Sequence, residues 1–358
     1  MKNIKCGFVI SFNGPYYSNF VASIFSLEKN MQTAGIETVY VFPSESKDFD
    51  WMKKLLELTL NVHFIDFNPW SIDNFKKIKA LFKKEKVNLI YSRMSGWDFV
   101  ARFAFPTLPV VWHMDYNVNV VDWKSRILNW VKFKILGFGK TYHIAASNSV
   151  ADAINSLKPK HTCEPILNSI DFDRLNLKNA HTINEPHKLL VFGWHPQVKG
   201  LDTTLDALEI VNKDAIKYEL IISAQKLTYE YMDERYGDNV PSWVTIFPPT
   251  DDVSSLYDDA DIMISASRSE SFSFCLAEAL YSGLPVVFSD IAGTSWAKKF
   301  KNAYEFKVEN VDNLIRCLGE VQTEITDEQL AFNRNIIKKK YSMDSWSKKI
   351  ISYLETIK

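Results

Sequence analysis

Short apolar runs of strand length alternate with longer amphipathic stretches along almost the whole chain. Residues 3–11 alternate toward a first strand, Phe12-Asn13-Gly14-Pro15 breaks it with a turn, and residues 18–34 carry helical spacing that ends at Gly35. Residues 87–92 and 109–112 have the composition of further strands, the second running into His113-Met114-Asp115. A polar stretch rich in Asn and Asp, residues 169–187, interrupts the alternation and marks a domain boundary, giving domains at 1–170 and 171–341 with a final helix at 342–358. Beyond it the pattern resumes, with strands predicted at 188–193, 218–223, 245–247, 261–266 and 285–289 and helices between them, the signature of a parallel sheet. The fold class is therefore α/β. No internal repeat or low-complexity segment is present.

Composition narrows the classes of function. With 358 residues and 46% hydrophobic content the chain can build two cored domains. A net charge of -1 leaves no footprint for nucleic acid. Cys6, Cys163, Cys275 and Cys317 show neither zinc-site spacing nor a disulfide framework, which favours a reducing compartment. No apolar run approaches a membrane-spanning helix, and the first apolar strand meets polar residues too soon for a secretory signal, so a cytoplasmic protein is expected. The 14% aromatic content suits saccharide stacking or an aromatic core.

The chemistry concentrates in Ser267-Arg268-Ser269-Glu270-Ser271-Phe272-Ser273-Phe274 and the helix that follows. The preceding strand delivers this polar loop to its carboxyl end, where open α/β sheets bind ligands. Ser271 or Ser273 can cap the helix, and Gly283 with Pro285 stops it. Apolar residues point in nearly every direction around that helix, so Glu278 is an ionisable group on a mostly buried element and needs a partner. Upstream, Lys199 stands at the turn before the predicted helix 201–211, a suitable place for an ammonium to meet a diphosphate. The order Lys199-Gly200 excludes a nucleotide-hydrolase phosphate loop. Asp259-Ala260-Asp261 spells a metal-binding pair formally, but it spans a helix end and a strand start, where Asp259 is expected to cap, and no metal is expected.

Together, Ser-x-x-Glu270 after a strand, Glu278 inside the helix, and Gly-x-Pro-Val-Val opening the next strand resemble the paired-glutamate signature of retaining glycosyltransferases of family four, which have the GT-B fold. The resemblance implies two doubly wound Rossmann-like domains facing each other across a cleft, with the last helix packing back on the first domain. It implies that Glu270 contacts hydroxyls of the donor sugar and Glu278 accepts the ribose hydroxyls of the nucleotide. Eight helical residues rise about 12 Å, which suits a sugar at one end and a ribose at the other. Ser271, Phe272, Ser273 and Phe274, at the helix start, join the donor site. Gly193 to Gly200 is similar to the family's phosphate segment, with Lys199 as its cation, but Trp194 stands where an Arg usually follows the first glycine. Either His195, Arg268 or another base replaces that cation, or phosphate is held less tightly. Gly14 is the candidate for close approach to donor phosphates or acceptor, and His113 for a side chain facing the donor sugar. Asn168-Ser169-Ile170-Asp171 resembles the family's interdomain segment, with Ser169 in place of Gly, and Tyr341 to Trp346 resembles its tail.

The implied activity is metal-independent, cofactor-free transfer of a hexose, with retention, from a nucleotide sugar, uridine-linked in this reading, to a hydroxyl of a glycan or lipid-linked saccharide in the synthesis of cell-surface polysaccharide or glycoconjugate. A noncatalytic sugar-nucleotide-binding homologue acting as a partner subunit is the alternative. Residues 122–140 add a separate signal: five cations and one acid accompany two Trp and two Phe. Helical spacing groups Trp123, Ile127 and Trp130, with Lys124, Arg126, Lys132 and Lys134 flanking them, which suits an anionic membrane surface at the inner face of the cell membrane. An ordinary helix packing its apolar side into the core would have the same composition.

Overall fold

The computed structural model describes residues 4–59, 61–66, 68, 71–94, 97–116, 118 and 123–357; Asn3 and Asp122, which enter the expectations above, lie outside them. The chain divides into two compact units, Met1–Ser169 with Met343–Lys358, and Ile170–Ser342.

The first unit holds a seven-stranded parallel sheet built from β1 (Lys5–Ile10), β2 (Glu37–Pro43), β3 (Val62–Ile65), β4 (Leu89–Arg93), β5 (Val110–Met114), β6 (Thr141–Ala145) and β7 (Cys163–Pro165), in the order β3-β2-β1-β4-β5-β6-β7. Its strands are apolar on both faces because both faces are covered. Along β1 the period of two sends Phe8 and Ile10 into one core with Tyr40 and Tyr91, and Val9 into the other with Val39, Val41 and Ile90. The Met343–Thr356 helix lies on the Asn19–Thr33 helix, where the Ser26 and Ser347 hydroxyls meet at 2.9 Å and Trp346, Ile350 and Leu354 join the first of these cores. That helix begins at Met343, within the expected 342–358.

The second unit contains β8 (His181–Thr182), β9 (His187–Phe192), β10 (Tyr218–Ser223), β11 (Val244–Phe247), β12 (Ile262–Ser265), β13 (Val286–Ser289), β14 (Ala303–Phe306) and β15 (Glu324–Ile325). Six of them form a parallel sheet ordered β11-β10-β9-β12-β13-β14, and β8 pairs with β15 as a small antiparallel ribbon. Residues 194–200 contain one helical turn, Pro196–Lys199, started by proline and closed by Gly200 in the left-handed conformation.

Both sheets grow outward to one side and then return to begin the other side, between β1 and β4 in the first and between β9 and β12 in the second. At such switch points the two loops leaving the carboxyl ends of the central strands diverge and leave room for a ligand.

Candidate active site

The pairing of β9 with β12, Leu189 opposite Ile262 and Leu190 opposite Met263, brings the loops after the two strands side by side. The Arg268 amide donates to the Val198 carbonyl at 2.8 Å and ties them together. Gly200, with φ of +64°, packs so closely on the Ala266 carbonyl that a Cβ there would collide with it.

This contact places Lys199 against Glu270. The ammonium lies 2.5 Å from Glu270 Oε1, and the buried Ser267 hydroxyl donates to the same oxygen at 3.0 Å. Burial works against the Lys199 charge, but the Glu270 carboxylate and its hydrogen bond outweigh it and hold the lysine above its ordinary pKa. Lys199, Ser267, Ser265 and Cys275 line a narrow recess with Phe192 and Met263. Burial pushes the Cys275 thiol up to about 11, so it stays protonated beside the pair. On the far side the Gly293 backbone lies against the Glu270 carbonyl, again too close for a Cβ.

Eight residues on, Glu278 sits in the Phe274–Ser282 helix and is 5% exposed. Its Oε2 accepts from the Tyr257 hydroxyl at 2.7 Å, and its Oε1 lies 3.7 Å from Arg174 Nη1. The buried acid therefore has protein partners. Burial, followed by the Glu278 charge, raises the Tyr257 hydroxyl far above its ordinary value, leaving it a donor. At the helix start Ser273 occupies the cap position without a side-chain cap bond, its hydroxyl 3.2 Å from Cys275 Sγ, and Ser271 is half-buried. Phe272 is a packing residue, stacked on Trp296 at 5.2 Å and against Tyr341 at 5.2 Å, with Phe274 edge-on to it.

Arg268 is engaged by protein acceptors. Its guanidinium holds Asp202 through two bonds of 2.8 and 2.7 Å, Glu309 at 2.5 Å, and the Gln197 carbonyl. His195 and Trp194 are exposed, the Trp194 ring standing edge-on to Phe192. Asp259, expected as a cap, pairs instead with the Lys188 ammonium at 2.6 Å, and Asp261 accepts from the Lys188 amide at 2.8 Å.

The remaining candidates belong to the first unit. The Gly14 carbonyl accepts from Trp51 Nε1 at 3.0 Å, and the Phe12 ring lies over its Cα. His113, at the end of β5, has no exposed surface. Its Nδ1 meets the Tyr91 hydroxyl, its Nε2 lies 3.8 Å from Asp115, and the Trp346 ring covers it at 6.0 Å. Burial pushes its pKa down to about 4, so the ring is neutral. Beside it Arg93, at the end of β4, grips Asp115 with bonds of 2.9 and 3.1 Å, donates to Ser23 at 2.6 Å, and lies between the rings of Phe20 and Trp346.

Sequence reasoning singled out Lys199, Glu270 and Glu278 but not Ser267, Tyr257 or Arg174. Ser267 stands three residues before Glu270 in the loop already identified, and Arg174 three beyond Asp171, so both carried a positional signal. Tyr257 carried none, because it lies in a separate helix, Val253–Asp259, 21 positions away, and only tertiary packing brings its hydroxyl to Glu278.

Residues 186–323 match the family model described as glycosyl transferases, group 1. No curated protein sequence matches the chain. Among solved structures, Anabaena Alr3699/HepE in complex with UDP is similar to it over 99% of this chain and 100% of that one, with a TM-score of 0.76 at 16% identity. The same protein has been solved with UDP-glucose. A glycosyltransferase from Rickettsia africae matches over 99% and 98% of the two chains, with a TM-score of 0.75 at 16% identity. Sucrose-phosphate synthase from Thermosynechococcus elongatus matches over 98% of each, with a TM-score of 0.73 at 13% identity. The two Rossmann-like units are thus those of the GT-B fold, and the segment that carries Lys199, Glu270 and Glu278 is the one that matches the group 1 glycosyltransferases.

Proposed function

We propose that the protein is a retaining glycosyltransferase that moves a hexose from a UDP-linked donor to a hydroxyl of a glycan or lipid-linked saccharide, in the synthesis of cell-surface polysaccharide or glycoconjugate. The observation that carries this reading is the Lys199–Glu270 pair at the switch point of the second sheet, eight residues before Glu278. In this reading Glu278 accepts the ribose hydroxyls, Glu270 accepts hydroxyls of the sugar, and Lys199 faces the diphosphate. The acceptor oxygen forms a bond to the anomeric carbon on the face from which the phosphate oxygen leaves, and its proton passes to that phosphate oxygen. Lys199 stabilises the charge that develops on the leaving group, without a metal. The raised pKa of Lys199 supports this role, since it keeps the ammonium charged through neutral pH. Four unpaired cysteines support a reducing, cytoplasmic setting.

The experiment is to incubate the protein with UDP-sugars and saccharide acceptors, with and without a chelator, and follow the anomeric proton by NMR. Transfer with the donor's anomeric configuration, undiminished by the chelator, is expected. An inverted product, or complete dependence on added manganese, would reject the mechanism. A second reading, a noncatalytic UDP-sugar-binding partner subunit, is favoured by Trp194 in the position of the usual Arg and by the engagement of Arg268 with Asp202. Thermal protection by UDP-sugar without hydrolysis or transfer would select it.

A further inference from the structure

The stretch after β5 contains a helix that faces the wrong way. None of the side chains in Trp123–Trp130 is buried, and Trp123 is 67%, Leu128 67%, Ile127 52% and Trp130 47% exposed. The half-buried positions are the polar ones, Ser125 and Asn129, and the Asn129 amide donates to the Val118 carbonyl at 3.0 Å. At about 100° per residue, Trp123, Ile127 and Trp130 share an arc of about 60°, with Lys124 and Arg126 to either side and Ser125 and Asn129 opposite. The helix thus turns its polar arc to the protein and an apolar stripe, bordered by cations, to solvent.

The helix is held in this position from below. The following π-helical turn, Val131–Leu136, buries Phe133 and Lys132, and the Lys132 ammonium is fixed by Asp98 at 2.5 Å and the Tyr116 hydroxyl at 2.6 Å within a ring of aromatic side chains. Lys132 therefore leaves the set of surface cations that its position in the sequence suggested. Exposure continues at Ile135 and at Phe138, which packs on the exposed Phe103. Lys134, which gives one donor to the Lys158 carbonyl, and Lys140 remain exposed, and no Asp or Glu occurs between Trp123 and Lys140.

We propose that the Trp123–Trp130 helix is a docking surface for an anionic lipid bilayer, with Trp123, Ile127 and Trp130 entering the headgroup region and Lys124, Arg126 and Lys134 meeting the lipid phosphates. Indole rings are at home in the interface, where long cationic side chains keep their stems in apolar surroundings and their charge among the headgroups. A two-fold contact with a second copy of this chain would bring cation against cation with no acid in the stretch to neutralise them. Among the described residues no helix is long and apolar enough to cross a membrane, so the contact is one of lying on the surface. The proposal goes beyond the donor reading and does not depend on it.

The test uses the full chain with sedimented vesicles of phosphatidylcholine alone or mixed with phosphatidylglycerol. Binding is expected only with the mixed vesicles, falling as salt shortens the screening length from about 10 Å at 0.1 M to about 3 Å at 1 M. Each cation near such a surface contributes about fivefold to partitioning, so Lys124→Gln, Arg126→Gln and Lys134→Gln together should weaken it on the order of a hundredfold. Trp123→Ser with Trp130→Ser should abolish it while leaving the thermal unfolding of the chain and UDP binding unchanged, since neither ring is buried. No sedimentation with mixed vesicles, or equal sedimentation of parent and both variants, would overturn the proposal. So would a concentration-dependent dimer that the Trp variant dissociates, which would assign the stripe to a second copy.

Discussion

Glu270→Ala removes the carboxylate and leaves the Lys199 ammonium 22% exposed with its nearest counter-charge gone. Breaking a fully buried ion pair from one side costs about 3–5 kcal/mol. Here the Glu270 side chain is 12% exposed and water reaches the lysine, so the cost is reduced to about 2 kcal/mol. For a unit the size of Ile170–Ser342 this is a fall of about 4–8 °C in unfolding temperature. Lys199→Met with Glu270→Leu removes both charges and should bring the unfolding temperature back to within about 2–4 °C of the parent, because a matched apolar pair has no stranded charge. Turnover should stay lost. The assay is scanning calorimetry on the parent, Lys199→Met, Glu270→Leu and the double variant, with turnover measured on the same samples. The coupling should not change between pH 7 and pH 9. With its folded pKa raised, Lys199 contributes stability that is fully present below its unfolded value of about 10.4 and is lost only as pH rises through the folded value. A coupling below about 0.5 kcal/mol at pH 7 would mean that solvent screens the pair, and the argument from burial would be refuted.

Glu278→Ala should weaken UDP binding by about 10- to 100-fold in calorimetry, the loss of charged hydrogen bonds to vicinal hydroxyls, whereas Tyr257→Phe should cost about 1 kcal/mol of stability and change UDP affinity only a few-fold. Unchanged UDP affinity in Glu278→Ala would remove the ribose assignment. Burial depresses His113 to about 4, so its neutral form contributes stability that is present above the unfolded value of about 6.5 and is lost as pH falls from there toward 4, on the order of 3 kcal/mol in all. Urea unfolding across that window should show a slope roughly halved, not abolished, in His113→Phe, because burial holds His143 near 4 as well. An identical slope in parent and variant would show that His113 does not titrate on unfolding.

Periodicity and turn chemistry are local, and what depends on them was legible in the sequence. The strand at Tyr218–Ser223 and the helix at Leu201–Val211 fall at the positions their spacing predicts, because each is set by residues within a few positions of one another. The α/β class and the repeated parallel pattern follow from the same signals. The acid at Glu278 could be recognised as buried for that reason too, since its helix is apolar on nearly every side. Its partners could not. Tyr257 and Arg174 approach it from separate elements, and only the packing of the second unit decides that the carboxylate meets a hydroxyl and a guanidinium. Lys199 and Glu270, 71 positions apart, meet because β12 pairs with β9 and their loops are forced together, a consequence of strand order that no local pattern encodes. The Trp123–Trp130 helix makes the division plainest. Its spacing establishes an apolar stripe and two flanking cations, but the direction in which a stripe faces is set by what the rest of the chain offers it. Here the Val118 carbonyl takes the Asn129 amide, Asp98 and Tyr116 take the Lys132 ammonium, and the core takes Phe133, so the apolar arc is left in solvent.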